Sequence, residues 1–247
     1  MHFTTERRLD DGVREREFTL GDVPGTLWTP TTSPAVPLIL QGHPGGLSRM
    51  RPRLQARATH AAREGFASAT IELPGGGSRS ALPDIDRARS DLQEAIRAGQ
   101  PITDDIVDRL VLPLVERAVP EWRAVLDALL DLPEIDGPVG YSGGVISIGV
   151  KLAIVEPRIT AAGFFAGSFV PRSILAQAHR VTIPVLMLLQ WDDEYNDRQM
   201  ALDLFDAFGS QEKTLHANMG GHTGVPQHEG ENSDGFFMRH LRAAAGG

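Results

Sequence analysis

From residue 36 onward, short continuous apolar runs alternate with stretches of helical period, and this alternation limits the chain to few folds. Val36 to Leu40, Ala67 to Leu73, Ile159 to Phe165 and Pro184 to Leu189 are too short for typical helices. Val36 to Leu40 and Pro184 to Leu189 carry no polar side chain, as strands sandwiched between two helical layers do. The pattern predicts an α/β protein with a mainly parallel sheet and helices on both faces. Upstream, Arg14 to Leu20 and Thr26 to Thr29 flank Gly21-Asp22-Val23-Pro24-Gly25 and read as an antiparallel hairpin.

Helix signals fill the gaps. Ser48 is a candidate cap for a helix ending near Arg63. Ile85, Ala88, Leu92 and Ile96 form one stripe, closed by Gly99. Thr103 with Asp104 and Asp105 reads as a cap and acidic first turn, and Pro120 as the start of a third helix carrying Trp122, Leu126 and Leu129. Further helices are expected near 172–179, 197–208 and 233–244. No repeat or linker interrupts the 247 residues, so one domain is expected, with a helical excursion at about 81–118.

Composition excludes several functions. The net charge is -8 without a basic block, which argues against nucleic-acid and anionic-membrane partners. There is no cysteine, hence no disulfide, thiolate metal site or cysteine nucleophile. The N-terminus runs straight into charge, and no run of about 18 apolar residues occurs, so a soluble cytoplasmic protein is expected. Basic charge is almost wholly arginine, as in proteins from GC-rich bacterial genomes.

Gly140-Tyr141-Ser142-Gly143-Gly144 matches G-x-S-x-G, in which a serine sits on a strained strand-to-helix turn between residues without bulk. In a chain with 26 glycines the pattern alone is weak; its context, a strand before and a helix after, strengthens it. From Val36 onward the chain resembles the α/β-hydrolase family, in its small esterase and dienelactone-hydrolase-like branch. The resemblance implies an eight-stranded sheet and a triad ordered Ser, then Asp or Glu, then His. Ser142 is then the nucleophile. The acid falls in Gln190-Trp191-Asp192-Asp193-Glu194, where the family pattern selects Asp193 over its neighbour Asp192. The base is His222, in the glycine-flanked loop after the last strand, with His228 in reserve and His216 on the strand itself.

Gln41-Gly42-His43-Pro44 resembles the family's oxyanion loop. It assigns the backbone N–H groups of His43 and Gly143 to the oxyanion hole, with the His43 ring lining the pocket. Tyr141, Phe169, Trp191, Tyr195 and Met219 are candidate pocket walls, and residues 81–100 a candidate overhang. Arg49, Arg51 and Arg53 could bind a substrate carboxylate or decorate a helix face. The resulting expectation is hydrolysis of a small-molecule carboxylic ester through an acyl-enzyme, without metal or organic cofactor. A lactonase, a thioesterase, a cofactor-free perhydrolase and a non-catalytic ligand binder are the alternatives, and a homodimer is left open.

Overall fold

The computed structural model describes residues 1–9, 12–31, 34–166 and 169–242. Its nine strands are β1 (His2–Leu9), β2 (Val13–Leu20), β3 (Val23–Pro30), β4 (Val36–Gly42), β5 (Ala67–Ile71), β6 (Ile135–Gly143), β7 (Ile159–Ala166), β8 (Val185–Gln190) and β9 (Lys213–Asn218). They form one sheet ordered β1-β2-β3-β5-β4-β6-β7-β8-β9. Pairing is antiparallel from β1 through the β3–β5 contact and parallel from there to β9.

This is the mainly parallel α/β architecture expected, with one strand more than the eight implied. The extra strand is β1, His-Phe-Thr-Thr-Glu-Arg-Arg-Leu, which is largely exposed at the sheet edge. Its charges hide it from any search for apolar periodicity, and they guard the edge against pairing with another chain. Inside the opposite edge, β8, Val-Leu-Met-Leu-Leu-Gln, is buried at every residue, as a strand covered on both faces requires.

The helices are α1 (Leu47–Arg63), α2 (Pro83–Arg97), α3 (Asp104–Leu130), α4 (Ile146–Val155), α5 (Arg172–Leu175), α6 (Arg198–Ala207) and α7 (His228–Phe237). The chain continues from α7 as a wider helical turn, Met238–Arg242. Helix α1 and the α7 segment cover one face, packing Leu54, Ala61, Phe236, Phe237 and Leu241 onto the sheet, while α3, α4 and α6 cover the other.

Three helix expectations need correction. Pro120 does not start a new helix: it lies inside α3. Val107, Val111, Val115, Val119, Trp122, Leu126 and Leu129 form one buried stripe through both Pro113 and Pro120. Burying each large apolar side chain is worth about 1.5–3 kcal/mol, so the stripe outweighs a proline cost of about 3 kcal/mol each. Ser48 does not cap α1; Gly46 holds the cap position, and the Glu72 carboxylate accepts from the N–H groups of Gly46 (3.1 Å) and Leu47 (2.7 Å). Ile96 is exposed, and the buried stripe of α2 is Ile85, Ala88 and Ala95.

Candidate active site

Loops at the carboxyl ends of β8 and β9 bring an acid and a base together. Asp193 Oδ2 lies 2.8 Å from His222 Nδ1. The same carboxylate accepts from the Tyr195 N–H (2.9 Å) and from the Asn196 side-chain amide (3.1 and 3.0 Å), so its remaining lone pairs are satisfied. Glu194 plays a different part, accepting the His222 backbone N–H at 3.0 Å, while Asp192 faces solvent. Gln190 Nε2 donates to Gly221 O at 3.2 Å and ties the two loops. With Nδ1–H directed at Asp193, the lone pair of His222 is on Nε2, the tautomer a general base needs.

Burial pushes the Asp193 carboxyl up, but hydrogen bonds from His222, the Tyr195 N–H and Asn196 outweigh it and hold the group below its ordinary value. A carboxyl depressed on folding stabilises the fold at pH above its unfolded value and loses that contribution as pH falls through the folded one. The stability gap between the protein and Asp193→Asn is therefore expected to be largest at neutral pH and to shrink below about pH 4. Denaturant melts across pH test this; a constant gap counts against it.

The loop after β4 is anchored by its own side chains. The His43 ring is tied to backbone groups through both of its nitrogens, and His43 also borders the cavity that His222 lines. His43 is 2% exposed, its Nε2 lies 2.8 Å from Ile71 O, and its Nδ1 accepts the Gly45 N–H at 3.0 Å. One nitrogen donates and the other accepts, which fits a neutral ring; burial lowers its affinity for a proton. Gln41 is held at both ends of its side-chain amide. Oriented to satisfy both ends, it donates to Leu54 O (3.2 Å) and accepts from Ser68 Oγ (3.0 Å).

The position of Ser142 departs most from expectation. It lies within β6, paired with Gln41 on one side and Gly163 on the other, and α4 begins only at Ile146. The residue that turns the chain is Gly143, at φ 118°; no described non-glycine residue has a positive φ. A Cβ at Gly143 would meet the Gly42 carbonyl oxygen at 2.5 Å, so a side chain has no room there. The Ser142 hydroxyl accepts from Arg57 Nη2 at 2.8 Å, and the same nitrogen donates to Ser142 O at 3.1 Å. Among the described residues, no hydrogen bond joins Ser142 to His222.

Arg57 was not among the sequence candidates. Its phase on α1 could have singled it out, because it falls on the side of Leu54, Ala58 and Ala61, the buried residues of that helix. It has no carboxylate partner among the described residues, and its guanidinium stands over the Phe165 ring at 5.1 Å. Desolvation first, then the like charge of Arg53, pushes it down to about 10. It is still charged at neutral pH, held there at a cost to the fold. Arg57→Met is expected to melt at an unchanged or higher temperature, as when other buried charges are replaced by apolar groups of similar size. A drop of several degrees in a thermal scan would show that Arg57 is structural.

His222, His43, Pro44, Arg53, Arg57, Gly144, Val145, Phe165, Gln190 and Val225 line a cavity of about 170 Å³. Ser142 opens on an adjoining cavity of about 230 Å³ that shares Arg53, Arg57, Phe165 and Val225 with it. The expected pocket walls lie elsewhere. Tyr141 is 1% exposed and packs edge-on against Trp122, on the opposite face of the sheet from Ser142. Phe169 lines a small cavity beneath the acid loop. Trp191 lies under Arg198, Met219 is 71% exposed, and only Tyr195 approaches the base, edge-on to the His222 ring at 5.6 Å. Arg51 is paired with Glu15 and Glu17. No described residue of 81–100 lines the His222 cavity, and α2 packs on α3 rather than overhanging it.

The chain superposes on solved structures over nearly its whole length. The native structure of a cold-adapted esterase from an Arctic intertidal metagenomic library superposes with a TM-score of 0.72 at 25% identity, over 98% of this chain and 100% of that one. The chain has the α/β-hydrolase fold. An acetyl xylan esterase from Paenibacillus sp. R4 shares that fold at TM-score 0.63 and 15% identity, over 97% and 88% of the two chains. Acetyl xylan esterase 1 from Thermoanaerobacterium does so at 0.62 and 14%, over 95% and 87%. No protein-family model and no curated protein matches this α/β-hydrolase chain. No helix among its described residues is long and apolar enough to cross a membrane.

Proposed function

We propose that this α/β-hydrolase cleaves carboxylic esters of small molecules, with His222 as general base and Asp193 as the carboxylate that orients it. The observation that carries the reading is the 2.8 Å bond from Asp193 to His222 Nδ1, with the imidazole on the wall of a cavity large enough for a short acyl group. Esterase activity among the structural neighbours supports the choice of ester over other acyl bonds. Turnover of esters graded in acyl and alcohol length, with lactones and thioesters alongside, tests it. The expected result is preferential cleavage of short-chain esters; failure to cleave any carboxylic ester sinks the proposal.

An acyl-enzyme on Ser142, implied by G-x-S-x-G, is the second form of this reading. What favours it is the shared boundary of the two cavities, formed by Arg53, Arg57, Phe165 and Val225. It requires the hydroxyl to leave Arg57 and pass over the carboxyl edge of β6.

A further inference from the structure

We infer that Glu194 is a positioning residue for the base: its carboxylate holds the backbone of His222 while Asp193 holds the ring, and the two grips together aim Nε2. The inference rests on the ester-hydrolase reading with His222 as general base, and it names a further residue for that reaction.

The loops after β8 and β9 stay joined beyond the end of the sheet. Ladder pairing between the two strands stops at Gln190 and Asn218. From there each residue of Gln190-Trp191-Asp192-Asp193-Glu194 makes a hydrogen bond to the segment 218–222. Gln190 Nε2 donates to Gly221 O at 3.2 Å, the Trp191 N–H to Asn218 O at 2.7 Å and the Asp192 N–H to Gly220 O at 3.1 Å. Asp193 Oδ2 then meets the His222 ring at 2.8 Å, and Glu194 Oε2 accepts the His222 N–H at 3.0 Å. Two consecutive carboxylates therefore grip one residue, the first at its ring and the second at its backbone.

The second grip answers a need created by the loop itself. His222 sits in Gly220-Gly221-His222-Thr223-Gly224, where three of five residues are glycine and Gly220 has φ 131°. Glycine loses more conformational freedom on ordering than any other residue. Asp193 alone fixes one point of the ring and leaves the imidazole free to swing about that bond as the backbone moves. A general base works only within hydrogen-bond reach of its proton, and a misplacement of about 1 Å can cost about a hundredfold. Fixing the His222 nitrogen removes that swing.

Gly221 gives independent support. A Cβ there would lie 2.6 Å from Glu194 Oε2. The φ of Gly221 is not positive, so the backbone itself would accept a side chain; the carboxylate is what fills the space. The His222 N–H first, and the N–H of Glu194 itself second, hold the Glu194 carboxyl below its ordinary value, so it is an acceptor at neutral pH. Glu194 is exposed and borders neither the His222 cavity nor the one on which Ser142 opens. Its loss reaches the rate through His222 and spares substrate binding.

The test is steady-state hydrolysis of a short-chain ester by the intact protein and its Glu194→Ala, Glu194→Gln, Gly221→Ala and His222→Ala variants. Glu194→Ala is expected to lower kcat about tenfold with KM within about twofold of the parent. Glu194→Gln keeps an acceptor oxygen and is expected to recover kcat to within about threefold, which a role through charge alone does not allow. Gly221→Ala displaces the carboxylate and should fall about as far as Glu194→Ala, and the double variant no further than the lower single, as for two changes that break one contact. The inference is overturned, with ester hydrolysis left standing, by a Glu194→Ala kcat within about twofold of the parent, by a loss carried in KM, by a Gln variant no better than Ala, or by additive losses in the double variant. Should Glu194→Ala not fold, a parental kcat in Gly221→Ala overturns it and a tenfold loss sustains it. The ester-hydrolase reading fails separately, and takes this inference with it, if the parent cleaves no ester or His222→Ala is as active as the parent.

Discussion

Replacing His222 with alanine is expected to lower kcat/KM for a short-chain ester by about 10² to 10⁴, the range a positioned general base contributes. The expectation does not depend on whether the attacking oxygen belongs to water or to a serine, because either must lose its proton to an imidazole. The loss should appear in kcat rather than KM, since the ring contributes chemistry and little binding area. His222 has 40% of its side chain exposed and makes its polar contacts, to Asp193, Glu194 and Asn196, on loops. Its removal should therefore leave the melting temperature nearly unchanged. A variant that is folded and hydrolyses esters within about threefold of the parent would remove His222 from the chemistry altogether.

How much of this was legible beforehand depended on the kind of force involved. The strands buried on both faces, such as β8, announce themselves because nothing but apolar side chains fits there. The edge strand β1 does not, because exposure frees it from any apolar rule. Pro120 misleads because local propensity is weak against a long buried stripe decided by tertiary packing. At the site, Asp193 was singled out by the family's acid-loop pattern and His222 by its place in a glycine-flanked loop, and the structure brings them together. Ser142 is harder. G-x-S-x-G names a serine between glycines, but it does not say which residue takes the left-handed turn, and here Gly143 does. Arg57 was hidden for another reason: it is one of four arginines between residues 49 and 57, and only its phase against Leu54 and Ala58 separates it from the others.

The turn at Gly143 depends on packing that begins on the far face of the sheet, and Trp122→Ala is expected to show it. Trp122 is 1% exposed on α3, and its ring meets Tyr141 edge-on at 6.4 Å and 77°. Tyr141 in turn contacts Phe164 of β7, which stacks on Phe208 at 5.5 Å, so a line of rings runs from α3 beneath the turn to the end of α6. The indole Nε1 has no hydrogen-bond partner among the described groups, so truncation removes apolar burial and leaves a cavity without breaking a polar bond. Such a change costs about 3–5 kcal/mol, which in a chain of this length lowers the melting temperature on the order of 10 °C. Trp122→Phe keeps an aromatic edge for Tyr141 and should recover much of the loss. A thermal scan in which Trp122→Ala melts within about 2 °C of the parent would show that α3 does not support the strand beneath the turn.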